Sequence, residues 1–180
     1  RQMCIRDRDI FVEQLVKKKR TGKDYLRIAA CLLGAFILLF VMVLGMAIKG
    51  VGFIIFVACC ALIYLLYMLI TATNLEYEYC FTNGALDVDK IINVRSRKRL
   101  TEVNARKIEM MASNRNREYK RFLEDRNTKK IYACSHPDDE GVFFVTYQDD
   151  DGRKMLIFNP NEKIKEGFRR YNPQKVQLND

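Results

Sequence analysis

The sequence has no tryptophan, one histidine and three prolines, and between Ile28 and Leu75 it carries a single charged residue, Lys49. Each shortage excludes something. With His136 as the only imidazole there is no His-Glu-x-x-His zinc motif, and neither a paired-cysteine zinc spacing nor a glycine-rich phosphate loop occurs. The near-absence of charge over 48 residues leaves the 105 residues from Glu76 to Asp180 for a globular core. That is enough for one small domain and excludes a large multidomain enzyme.

What is present is mostly basic, with 31 Lys and Arg against 22 Asp and Glu and a formal net charge of +9. Residues 1–8, Arg1 to Arg8, read as a translated sequencing adapter and are set aside from structural reasoning. The native chain is then expected to start near Asp9 with a net charge of +7.

Residues 25–74 read as a helical hairpin with apolar runs at 28–48 and 53–73, joined through Gly50 and Gly52. At about 1.5 Å per residue each run covers the roughly 30 Å hydrocarbon core of a bilayer. Lys17, Lys18, Lys19, Arg20, Lys23 and Arg27 precede the first run, and Lys90, Arg95, Arg97, Lys98 and Arg99 follow the second, whereas the connection offers only Lys49. Both termini are therefore expected on the cytoplasmic side. Tyr25, Tyr64 and Tyr67 suit interfacial positions. Cys31, Cys59 and Cys60 read as small packing residues, and Cys80 and Cys134 face a reducing compartment, so no disulfide framework is implied.

Residues 9–24 form an amphipathic basic segment. Asp9 is a candidate N-cap, and Ile10, Phe11, Val12, Leu15 and Val16 cluster with helical spacing, which predicts an interfacial helix leading into Lys17 to Arg20. Residues 75–176 read as a mostly β domain. Leu75 to Thr82 alternates, Asn83-Gly84 is a strong hairpin signal, and Ala85 to Asn93 returns. Ile108 to Met111 and Ile131 to Cys134 are further strands, and Gly141 to Gln148 pairs with Lys154 to Phe158 around Asp149-Asp150-Asp151-Gly152. Asn114 to Lys130 is a basic loop or short helix. A closing helix is expected with Asn159 as cap, Pro160 in its first position and Ile164, Phe168 and Tyr171 on its apolar face. Residues 177–180 are a tail.

The fold class is thus α+β: a two-helix transmembrane hairpin followed by a small antiparallel β domain closed by a C-terminal helix. Tyr77 to Ile92, Ile131 to Cys134 and Phe158-Asn159-Pro160-Asn161-Glu162 carry a resemblance to bacterial pleckstrin-homology-like (PH-like) domains attached to two N-terminal spans. The chain resembles the YcxB-like group, and more closely a clostridial-type family of small membrane proteins of unknown function. The resemblance implies a bacterial cytoplasmic membrane location and a PH-like domain, with no catalytic residues to transfer.

His136 lies in Ser135-His136-Pro137-Asp138-Asp139, a surface turn, and a Cys134-His136 dyad lacks an orienting third group. The acidic runs Asp138 to Glu140 and Asp149 to Asp151 lack EF-hand spacing and read as solvated turns. No catalytic residue, metal or cofactor is therefore expected. The basic residues Lys17, Lys18, Lys19, Arg20, Arg95, Arg97, Lys98 and Arg99 are the candidate lipid-headgroup contacts, because guanidinium and ammonium groups suit phosphate oxygens. No nucleic-acid module surrounds Tyr119 and Phe122, so none is expected as a partner. The expected function is non-catalytic: a scaffold or protein-binding module, self-association included, with anionic phospholipid sensing at the inner leaflet as the alternative and a membrane enzyme using Cys134, His136 or the acidic loops ranked third.

Overall fold

The computed structural model describes residues 11–48 and 50–178. The expectations for residues 1–8, for Asp9 as a cap and for Lys49 lie outside the described residues. The chain divides into two units, one of residues 19–75 and one that joins the N-terminal segment through Lys18 to residues 76–180.

The first unit is a pair of helices. α1 spans Gly22–Met46 and α2 spans Gly52–Thr71, each long and apolar enough to cross a membrane. α1 starts six residues before the predicted Ile28. Its entry is held by the Asp24 carboxylate, which accepts from the Thr21 N–H at 3.0 Å and the Thr21 hydroxyl at 2.8 Å. The least exposed positions form one stripe on each helix, Ile28, Cys31, Ala35, Leu38, Met42 and Gly45 against Gly52, Ile55, Cys59, Ile63, Leu66 and Ile70. The three-and-four spacing is that of a helical seam, and the small residues let the backbones approach. A Cβ on Gly45 would come within 2.6 Å of Ile55 Cγ2. Beyond Arg27 the rest of both surfaces is mostly apolar and exposed, as at Phe36 and Phe53.

The second unit holds two four-stranded sheets. In the first sheet the order is β1 (Phe11–Lys17), β2 (Leu75–Thr82), β3 (Ala85–Ile92), β4 (Ser96–Asn104). In the second the order is β5 (Ile108–Ser113), β7 (Phe143–Asp149), β8 (Gly152–Phe158), β6 (Lys129–Ala133). Two short helices complete the unit, α3 (Arg117–Glu124) and α4 (Glu162–Tyr171). The two sheets share one apolar core in which Tyr79, Phe81, Leu86 and Val88 meet Met111, Val145, Leu156 and Phe158. α4 seals it with Ile164 and Phe168, whose ring lies 5.2 Å from that of Phe81.

Three features differ from the sequence reading. The N-terminal segment is the strand β1, not an interfacial helix, and it pairs antiparallel with β2 from Phe11↔Thr82 to Lys17↔Glu76. Residues 9–24 are therefore not one element. Val12, Gln14 and Val16 turn toward the core while Phe11, Glu13, Leu15 and Lys17 stay exposed, which is the period of a strand. Asn114 to Lys130 contains the expected short helix, α3, and its Tyr119, Phe122 and Leu123 cover a second cluster of Ala112, Phe144, Met155 and Ile157. The second sheet is thus covered on both faces, and Phe143 to Tyr147 is buried without interruption. β6 runs parallel to β8, so the domain is not wholly antiparallel. Finally, the cap of α4 is Asn161, whose side chain accepts from the Ile164 N–H at 2.9 Å. Asn159 instead accepts from the Ser135 N–H at 2.9 Å.

The Asn83-Gly84 turn takes the expected form, with φ of 49° and 92°. Gly167 is required by packing, because a Cβ there would come within 2.6 Å of the buried Phe81 ring. Gly167→Ala is expected to lower the unfolding free energy of the full chain in detergent by about 1–3 kcal/mol, the usual cost of overpacking a tight core. Urea denaturation followed by far-UV circular dichroism measures it; an unchanged midpoint would mean that α4 and β2 are not packed as described.

Candidate functional site

One face of the first sheet is left uncovered, and charged residues occupy it in rows. Glu76 and Glu78 stand on β2, Asp87 and Asp89 on β3, and Arg97, Arg99 and Glu102 on β4. Arg97 donates to Glu78 Oε1 at 3.1 Å and lies 2.8 Å from Oε2. Arg99 lies 3.2 Å from Asp87, 3.9 Å from Asp89 and 3.7 Å from Glu102. Glu78 is buried despite its charge. Burial pushes its carboxyl above the ordinary range, the hydrogen-bonded Glu13 carboxyl adds to the rise, and Arg97 opposes it.

This lattice divides the predicted lipid cluster. Arg97 and Arg99 are taken up by carboxylates of their own sheet. Arg95 and Lys98 have no carboxylate partner among the described residues. Lys98 stands opposite Lys90 across the β3–β4 ladder, on the other face from Arg97. Of the N-terminal run, Lys17 lies 3.4 Å from Glu76 and Arg20 donates to Asn74 Oδ1 at 2.6 Å. Lys18 ends the second unit and Lys19 and Arg20 begin the first. Of the eight residues, Lys17, Lys18, Arg95, Arg97, Lys98 and Arg99 thus belong to the second unit and Lys19 and Arg20 to the first.

β4 is an edge strand, and its outer side opens on a groove of about 650 Å³ that sequence reasoning missed. Leu100, Asn104 and Lys107 line one wall and Gln148, Asp150 and Lys154 the other, while Thr101 and Tyr147 hydrogen-bond to each other beneath. The backbone phase follows from one bond. Ala105 N–H donates to Gly84 O at 2.7 Å, so Val103 and Thr101 bond to β3, and Glu102 and Asn104 turn their amides to the free edge. No local sequence signal marks such a groove, because its walls come from β4 and β7, some forty residues apart.

The remaining chemical candidates stay separate. Cys134 is buried and its thiol is pushed up to about 11, so it is protonated at neutral pH. His136 Nδ1 accepts from the Asp138 N–H at 3.3 Å inside its own turn. Asp149 and Asp151 are engaged by Lys154. Among the described residues no group of three or more His, Cys, Asp and Glu is arranged to hold a metal ion.

For Glu78 the sign of the pH effect follows from its direction. An acid whose pKa is higher folded than unfolded binds more protons in the native state, so its contribution is fully present below the unfolded value, 4.5, and is lost as pH rises through the raised native value. Urea midpoints of the full chain measured from pH 4 upward are expected to show this fall, and Glu78→Gln to flatten it. Parallel profiles for the two proteins would contradict the assignment.

Residues 8–178 match a family described as a bacterial PH-like domain (DUF6106). No curated protein and no solved structure matches the chain.

Proposed function

Because this chain belongs to the family of bacterial PH-like domains DUF6106, we propose that it is a non-catalytic integral membrane protein whose PH-like domain is a docking module for a protein partner. The two apolar helices anchor it in the cytoplasmic membrane of a bacterium with both termini inside, a topology supported by the excess of Lys and Arg on both flanks of the hairpin. The observation that carries the docking role is the free edge of β4 beside its groove. An edge strand offers unpaired amides and carbonyls to an extended segment, which gains main-chain hydrogen bonds from the edge and side-chain selectivity from the groove. Groove walls carrying both Lys107 and Asp150 favour a partner segment of mixed charge.

Anionic lipid at the inner leaflet is a second ligand for the basic residues that the carboxylate lattice leaves unpaired, Arg95 and Lys98, together with the basic run between β1 and α1.

Docking at the edge is tested with a photo-crosslinking amino acid in place of Gln148, in the full chain expressed in bacterial membranes. A discrete protein adduct is expected, and Glu102→Pro is expected to remove it. Proline at an outward-facing amide of an edge strand leaves the β3 ladder intact while blocking a new strand, so circular dichroism should be preserved. Adducts that persist in Glu102→Pro, or no protein adduct at all, would overturn the edge as docking site.

A further inference from the structure

We propose that the turn between β3 and β4 is a bilayer-contact tip, in which Val94 enters the interfacial layer of an anionic membrane and Arg95, Lys90 and Lys98 hold lipid phosphates. The inference rests on the reading of the two helices as membrane spans.

The first sheet contains two turns of the same left-handed kind. In one, Asn83-Gly84, the second position has φ of 92° and is glycine. In the other, Asn93 and Val94 have φ of 51° and 60°, and a β-branched residue is the costliest choice there. Nothing in the domain compensates for it, since the Val94 side chain is 81% exposed. Strain held at an exposed apolar side chain points to a contact supplied from outside the domain.

The charges around the turn indicate what supplies it. Lys90 and Lys98 oppose each other directly across the ladder, an arrangement that is repulsive unless an anion lies between or above them. Neither lysine, nor Arg95, has a carboxylate partner among the described residues, in contrast to Arg97 and Arg99 on the opposite face. The site thus combines one apolar tip with three uncompensated cations, which is the chemistry of an anionic lipid surface.

Connectivity favours a lipid surface over an acidic protein. Val94 and Arg95 line one groove with Glu13, Glu76 and Glu78, the last paired with Arg97, at the end of the sheet where β1 finishes at Lys17 and β2 begins. From that end the chain reaches Gly22 of α1 after four residues, and it arrives from Thr71 of α2 through three. The same stretch carries the basic run Lys17 to Arg20.

The absence of tryptophan from the sequence gives a clean probe. The full chain is reconstituted into nanodiscs of phosphatidylcholine with or without phosphatidylglycerol, with Val94→Trp as the only indole and Asp150→Trp, at the β7–β8 turn, as its comparison. Expected for Val94→Trp is a blue-shifted emission quenched by brominated lipid in the phosphatidylglycerol discs, with both effects reduced in pure phosphatidylcholine and on adding Lys90→Gln and Lys98→Gln. Asp150→Trp is expected to emit as in water throughout. Emission from Val94→Trp indistinguishable from that of Asp150→Trp would overturn the proposal. So would a blue shift without lipid quenching, which indicates a protein contact. A chain that fails to enter the discs at all would instead overturn the membrane-span reading on which the proposal rests. Val94→Gly gives a second, independent readout: it is expected to raise the melting temperature in detergent by relieving the backbone while reducing co-purified phosphatidylglycerol. A lowered melting temperature would show that the valine serves the fold.

Discussion

The pairing of β1 with β2 is the constraint on which the rest of the molecule depends. Seven residue pairs, from Phe11↔Thr82 to Lys17↔Glu76, join strands separated in the chain by the whole helical hairpin. Closing so long a connection costs entropy that grows slowly with length, and the hairpin reduces the problem by returning the chain to its starting point. Arg20 and Asn74, at its two ends, are in direct contact at 2.6 Å. The apolar helices are, in effect, an elaborated connection between neighbouring antiparallel strands. The consequence reaches the far side of the domain. The Gln14 side chain on β1 donates to the Asn159 carbonyl and accepts from the Asn161 N–H, both at 2.8 Å, tying the N-terminal strand to the start of α4.

The second determinant is an asymmetry between the sheets. The β7 run Phe143 to Tyr147 is apolar on both sides except for Thr146, and burying both sides requires a cover, which α3 provides. β2, β3 and β4 alternate large apolar with charged residues, so the first sheet needs the shared core on one side and water on the other. Its outer face is consequently where ionic side chains collect. The pairs of Arg99 are solvent-exposed and contribute little to stability, about 0–1 kcal/mol each, whereas Arg97 pairs with a carboxylate that is itself buried. Their effect is on availability. They withdraw two of the four cations of the Arg95 to Arg99 segment from any external anion and leave Arg95 and Lys98 in place.

How much of this was legible in the sequence depended on how local the signal was. Asn83-Gly84, the hairpin around Gly152 and the apolar face of α4 were readable because turn chemistry and periodicity act within a few residues. The strand β1 was not. Phe11, Val12, Leu15 and Val16 satisfy a helical stripe, and Val12, Gln14 and Val16 equally satisfy a strand, so the choice belongs to β2, about sixty residues away. The cap of α4 was misplaced by two residues, because Asn159 and Asn161 are equivalent as donors and acceptors. Only the nearby Ser135 amide, which Asn159 satisfies, separates them.

The sequence by itself determined the two uncharged runs, the size of the polar domain, the absence of multi-histidine chemistry and the sign of the charge flanking the hairpin, since these follow from composition and short-range order. Only the tertiary structure decided which cations are free and where a partner strand could add. Ion pairing between Arg97 and Glu78, the opposition of Lys90 to Lys98, and the groove between β4 and β7 are all products of strand register. Register is set by burial of one face of a sheet against the other sheet, an interaction between residues far apart in the chain that no local pattern encodes.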